Sequence, residues 1–401
     1  MNQHIQHQVD QLLLEQGEYQ PLELLLREGR LHYADYEAWR NGELDSLDEA
    51  LFGDPEHIQQ QLSDAENYLQ KRGWQAEITH YKNWRSESGN ASKPLCFSEN
   101  GRLNKCFHSN YYKPQDQPQL DLFSDSPATS LFNGITQSLA DRKPAEARRL
   151  LEILYDTAPD HTRLGELESV VEVAESMETP VEDVSAELTG LQETVVPLVE
   201  TLLGKGSRNL LIPLWRRLSK ALQGQAYQST QRDLHLSYTA SQAMDWEVVR
   251  NVVERVPDWQ SEYVLVARHA QACEQLHLQA DALQSWFYVC WQFPDAADSL
   301  ESSSDHVLRQ QWKAFLDLDL ELPATAFPAW LLIRKPGLTR SLQEPGAEML
   351  CPASYRTMFL MQQNSLNSQA RLEDGEVMTL RAQLKQQDSA LFQHFLGKID
   401  G

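Results

Sequence analysis

AQACEQLHLQADALQSWFYVCWQFP, residues 270–294, is the stretch whose reading decides the fold. Two small residues, Ala270 and Ala282, stand twelve apart. A large residue, Trp286, follows one helical turn after the second, and Pro294 stops the run. Small residues allow two helices to cross closely, while a proline cannot continue a helix interior. The stretch therefore predicts two antiparallel helices joined by a short turn. The same offsets occur upstream, where Ala147, Leu151 and Pro159 match Ala282, Trp286 and Pro294. Residues 130–300 are expected to be stacked helix pairs, and the chain as a whole to be mainly α.

Repeated small–large–proline spacing resembles the tetratricopeptide pattern. That resemblance implies a tetratricopeptide-like α-solenoid whose concave surface holds protein partners. The chain departs from the pattern at Ser138, where the family has an aromatic residue, and at Pro257, whose spacing is shifted.

Ahead of the repeats, residues 1–92 predict a small helical module. Pro21 opens one helix and Gly29 closes it; Leu31 to Gly42 form a second. Tyr33, Tyr36 and Trp39 give that second helix an aromatic face. A third is expected from Ser46, burying Leu47, Leu51 and Phe52. A fourth runs from Pro55 to Gly73, with Ile58, Leu62, Ala65 and Leu69 inward. The acidic residues crowding this region leave no basic face for a helix-turn-helix reader of DNA. The stretch Tyr33 to Gly42 also resembles a module of bacterial proteins that carry helical repeats; the resemblance implies a bacterial origin and no activity.

Residues 93–112 predict a β-hairpin, because Asn100-Gly101 tolerates positive φ at both turn positions. Residues 113–129 read as a linker, and residues 301–401 as a C-terminal helical region broken by five prolines between 323 and 352. In that last region Leu380, Leu384, Leu391 and Phe395 predict one final amphipathic helix.

The linker holds Gln119-Leu120-Asp121-Leu122-Phe123, which resembles the pentapeptide that docks bacterial replication and repair proteins on the DNA sliding clamp. The resemblance implies that Leu122 and Phe123 fill an apolar pocket, with Leu120 beside it. Gln119 sets the register and Asp121 faces outward. Each buried apolar side chain contributes about 1.5–3 kcal/mol, enough for a contact of moderate affinity after ordering costs. The residues themselves leave a second reading open, in which Leu120, Leu122 and Phe123 anchor the linker to the protein's own core.

Charge narrows the partners. Across 401 residues the formal net charge is −23, which opposes direct nucleic-acid binding. It is also segregated. Residues 166–200 hold ten acidic residues and no basic one, while Lys205, Arg208, Arg216, Arg217, Lys220 and Arg232 follow with no acidic residue between them. Two readings arise: adjacent helices packing with complementary charge, or a basic face for DNA or an acidic partner, the mark of a repair or regulatory factor.

Five cysteines, no apolar leader and no membrane-length run predict a cytoplasmic protein without membrane attachment. No cofactor is expected. Cys96, Cys106 and His108 fall short of a tetrahedral zinc set even with His80 added. No phosphate-cradling glycine loop and no His-Glu-x-x-His helix is present. His235, His269 and His277 are scattered on helices, and Cys273 and Cys290 read as small core residues. The expectation is a non-enzymatic adaptor, with an unrecognised enzyme site as the remaining alternative.

Overall fold

The computed structural model describes residues 3–85, 95–113, 127–318, 322–346, 348–366 and 374–399. They are mainly helical. The chain divides into two compact units, Met1–Asp245 and Trp246–Gly401, each with its own core. This division differs from the expected segments. The N-terminal module shares one core with the helices up to residue 243, and the break falls inside the stretch expected to be a single repeat domain.

The first unit begins with α1 (Gln3–Gln16), β1 (Glu18–Tyr19), α2 (Pro21–Arg27), α3 (Tyr33–Arg40), α4 (Pro55–Lys71), β2 (Gln75–Ile78), α5 (Gly101–His108) and β3 (Ser109–Tyr112). Proline opens α2 and α4, where its missing N–H has no helical partner to lose. Gly29, Gly42 and Gly73 follow α2, α3 and α4 with φ of +64°, +74° and +82°. Tyr33, Tyr36 and Trp39 bury one face of α3, and the ring of Trp39 lies 5.5 Å from Tyr81 and 6.0 Å from Phe107. The expected third helix is only a short 3-10 turn, Asp48–Ala50. Leu47 and Leu51 are buried as expected, but Phe52 is half exposed.

The expected hairpin is corrected. Asn100 caps α5, its side chain accepting from the backbone N–H groups of Arg102 and Leu103. Asparagine suits a helix start as well as a tight turn, and the burial of Leu103, Cys106 and Phe107 follows helical spacing. Residues 109–112 do form a strand, but with other partners. β3 is the centre of an antiparallel sheet ordered β1-β3-β2, with Tyr111 opposite both Tyr19 and Ala76.

The rest of this unit comprises α6 (Pro127–Ala140), α7 (Pro144–Thr157), α8 (Leu164–Glu175), α9 (Val184–Gly190), α10 (Val196–Leu203), α11 (Ser207–Ala221) and α12 (Leu236–Gln242). The second unit holds α13 (Trp246–Glu254), α14 (Tyr263–Gln275), α15 (Gln279–Gln292), α16 (His306–Leu316), α17 (Phe327–Arg334), α18 (Ala353–Leu366), α19 (Asp374–Gln387) and α20 (Ser389–Ile399). The single final helix expected from the Leu380–Phe395 pattern is two helices. Asp388 interrupts it and caps α20, its carboxylate accepting from the N–H of Leu391 at 2.9 Å. No described helix is long and apolar enough to cross a membrane.

One turn recurs. After α6, α12 and α14 the chain passes through Arg142, Met244 and His277, whose φ values are +57°, +58° and +58°. Each turn is closed by the same pair of backbone bonds. Arg142 N–H donates to Leu139 (3.1 Å) and Lys143 N–H to Ser138 (2.8 Å). Met244 donates to Ser241 (3.1 Å) and Asp245 to Ala240 (2.9 Å). His277 donates to Glu274 (3.0 Å) and Leu278 to Cys273 (2.8 Å). This is the Schellman arrangement. Five residues after each left-handed residue comes a buried Ala147, Val249 or Ala282; nine after comes a buried Leu151, Val253 or Trp286. The same bond pair also closes the turns at Gly29, Gly42 and Gly73; the small–large spacing follows it only at Ala147–Leu151 and Ala282–Trp286, where α6 packs on α7 and α14 packs on α15.

Candidate functional site

The polar centre of the first unit is a charged seam. Glu37 projects from α3, and its carboxylate takes Arg142 on one oxygen and Arg216 on the other. Arg216 also grips Asp245 with Nε at 3.1 Å and Nη2 at 2.9 Å. Burial alone would raise the Glu37 pKa, but the two guanidiniums outweigh it and hold the carboxyl below the usual glutamate range.

Arg142 is placed by backbone chemistry. Pro213 lies inside α11 and has no N–H to give the carbonyl of Asn209, four residues earlier. Arg142 Nε fills that vacant acceptor at 2.9 Å, while its guanidinium carbon sits 4.2 Å from the centre of the Trp84 ring. Arg40 lies over the same ring at 4.6 Å. It donates to the Lys82 carbonyl (3.0 Å), the Tyr36 hydroxyl (2.6 Å) and Asp141 (2.9 Å). None of these partnerships was evident in the sequence. Pro213 between apolar residues was the one available signal, since a proline inside a helix must leave a carbonyl for something else.

The basic stretch supplies the other side of the seam. Lys205 pairs with Glu18 at 3.5 Å, Arg208 with Glu23, Arg216 with Glu37 and Asp245, and Arg217 with Glu187. Of these partners only Glu187 comes from the acidic run 166–200. The complementary charge expected between neighbouring runs is thus mostly supplied by the first forty residues. Lys220 is exposed.

Beside the seam lies a cavity of about 650 Å³. α3, the stretch Thr79–Lys82, β3, α6 and the start of α11 all contribute to its lining. Close approach is built in at Gly206, where a Cβ would stand 2.7 Å from that of Ala140. Two ion pairs, Arg40–Asp141 and Arg208–Glu23, belong to the wall. Asn110 is 5% exposed; its Nδ2 donates to the Thr79 hydroxyl at 2.7 Å, while its Oδ1 has no partner among the described residues. A buried acceptor left unpaired costs about 1–3 kcal/mol. Burial pushes the Tyr81 phenol well above its ordinary pKa, so it is a neutral donor.

The second unit contains a linear polar arrangement that resembles catalytic geometry. His269 Nδ1 is 2.8 Å from Ser285 Oγ, and Nε2 is 3.2 Å from Glu254 Oε1. Cys273 Sγ lies 3.6 Å from the same ring, and Trp259 packs on it at 4.4 Å. His269, expected only as one of three histidines scattered on helices, thus has a hydroxyl and a thiol beside its ring. The group is closed, however. Ser285 and Cys273 are buried, the Ser285 hydroxyl also donates to the Asp281 carbonyl at 3.0 Å, and burial lowers the His269 pKa and raises the Cys273 thiol to about 12. Neither potential nucleophile is exposed or ionised at neutral pH.

Gln119, Leu120, Asp121, Leu122 and Phe123 lie outside the described residues. The candidate metal residues do not converge: Cys96 is exposed and Cys106 buried beside Ser63, while His108 Nδ1 bonds the Thr79 carbonyl at 2.7 Å. Comparison with protein-family models, curated proteins and solved structures returns no match for this chain.

Proposed function

We propose that this protein is a helical-repeat adaptor that holds protein partners and is tethered to a bacterial DNA sliding clamp through Gln119–Phe123. The recurring Schellman-closed turn carries the repeat reading. Two packed helix pairs, α6–α7 and α14–α15, joined through this turn and followed at the same offsets by a small and then a large buried residue, are what a tetratricopeptide-like solenoid would use. The tether rests on the pentapeptide, placed between β3 and α6. Internal pairing of Arg208, Arg216 and Arg217 favours a structural role for the basic stretch over a DNA-binding one. The closed Ser285–His269–Glu254 line likewise favours packing over turnover.

Interferometry on immobilised bacterial clamp tests the tether. The full chain is expected to bind with a dissociation constant in the micromolar range, on the order of −8 kcal/mol. A synthetic peptide spanning residues 117–125 should compete for the same site. Failure of the peptide to compete would separate any clamp contact from the pentapeptide.

A further inference from the structure

We propose that the cavity beside the charged seam is a binding site for a small hydroxyl-rich organic anion, of the sugar-phosphate or sugar-acid class. The inference rests on the cavity alone and is independent of the clamp tether.

Three observations converge. The first is size: about 650 Å³ lies within the range of small-molecule sites and would hold one such ligand. The second is the unfilled hydrogen-bonding inventory. Asn110 is fixed at one end by Thr79, and its other end is an acceptor out of reach of solvent and without a partner among the described residues. Tyr81 also lines the cavity, and its hydroxyl makes no hydrogen bond among the described residues. A ligand oxygen can accept from the phenol, and a ligand hydroxyl reaches Asn110 Oδ1 once that side chain turns toward the cavity. A purely apolar ligand would leave both unpaired.

The third is charge. Asp141 and Glu23 are already engaged by Arg40 and Arg208. Lys82 is exposed, lines the cavity, and its ammonium has no ion-pair partner among the described residues. Lys205, also in the lining, is half exposed and only loosely held by Glu18 at 3.5 Å. The cavity therefore offers uncommitted positive charge in a chain whose net charge is −23. One anionic group on a compact polar body complements this set. The surrounding negative field disfavours a long polyanion such as nucleic acid.

Isothermal titration calorimetry of the full chain tests the proposal with four probes: glucose 6-phosphate, gluconate, glucose and inorganic phosphate. At least one hydroxylated anion is expected to bind with a dissociation constant below about 1 mM. Which of the two binds distinguishes the phosphate from the carboxylate class. Glucose and phosphate should each bind at least about tenfold more weakly, because each supplies only half of the complement. Lys82→Ala, at an exposed position that leaves the fold intact, should weaken binding about fivefold, and Asn110→Ala should do so by a similar factor. Circular dichroism checks that both variants remain folded. The proposal is overturned if neither hydroxylated anion binds, if glucose binds equally well, or if Lys82→Ala leaves the affinity unchanged.

Discussion

Replacing Glu37 with glutamine should loosen the first unit while hardly changing its shape. The carboxylate joins Arg142, which lies between α6 and α7, to Arg216 on α11, and all three side chains are mostly buried. Removing one partner of a buried pair costs about 3–5 kcal/mol, because the remaining charge stays desolvated. Here the loss is smaller. Arg216 keeps Asp245, Arg142 keeps the Asn209 carbonyl, and the amide oxygen still accepts one bond. We expect Glu37→Gln to cost about 2–3 kcal/mol. For a unit of this size that corresponds to a fall in melting temperature of about 5–10 °C. Differential scanning calorimetry measures the shift, and amide hydrogen exchange should localise the lost protection to α3 and α11. The effect also has a pH signature. Glu37 has a depressed pKa in the folded state, so its contribution is complete above the unfolded glutamate range and fades as pH falls through the folded value. Wild type and Glu37→Gln should therefore begin to converge in stability as pH falls below the unfolded glutamate value of about 4.3, and converge fully only below the lower folded value. A melting temperature within about 1 °C of wild type at pH 7 would refute the view that this seam holds the unit together.

Two other perturbations test the second unit. Glu274 accepts from Trp286 Nε1 at 2.7 Å, from the Ser303 hydroxyl, and from the backbone and hydroxyl of Ser304 at 2.8 Å, so Glu274→Ala should cost about 2–3 kcal/mol in urea unfolding; a loss under about 0.5 kcal/mol would mean the hub is dispensable. His277 sits at φ +58°, where a β-branched residue is strained, so His277→Val should destabilise by about 1–2 kcal/mol while His277→Gly is tolerated. Equal stability of the two variants would remove the left-handed turn from the account of the helix pair.

Much of the fold was legible where local chemistry and burial agree. Proline starts, glycine stops and the Tyr33–Tyr36–Trp39 face specified α2, α3 and α4 because each signal acts within a turn or two of helix. Asn100-Gly101 misled because asparagine satisfies two local needs, a turn and a helix cap, and only the burial of Leu103 and Phe107 decides between them. Division into units was hidden for a different reason. The seam that joins the N-terminal module to α6 and α11 pairs residues such as Glu37 and Arg216, which are distant in sequence and carry no periodic mark. The same holds for the cavity: Asn110, Lys82 and Arg208 are brought together by the packing of separate elements. His269 was seen as a helix residue, but its spacing from Ser285 depends on the α14–α15 crossing rather than on either helix alone.

The adaptor reading meets its most direct test in one double variant, Leu122→Ala with Phe123→Ala, measured for clamp affinity and for thermal stability together. Truncating both side chains removes the apolar area that a clamp pocket would bury, worth about 3–6 kcal/mol in all. The account predicts that clamp binding falls at least about a hundredfold while the melting temperature stays within about 1 °C. Unchanged clamp affinity, or a melting temperature that drops by several degrees, would contradict it and assign these residues to the protein's own core.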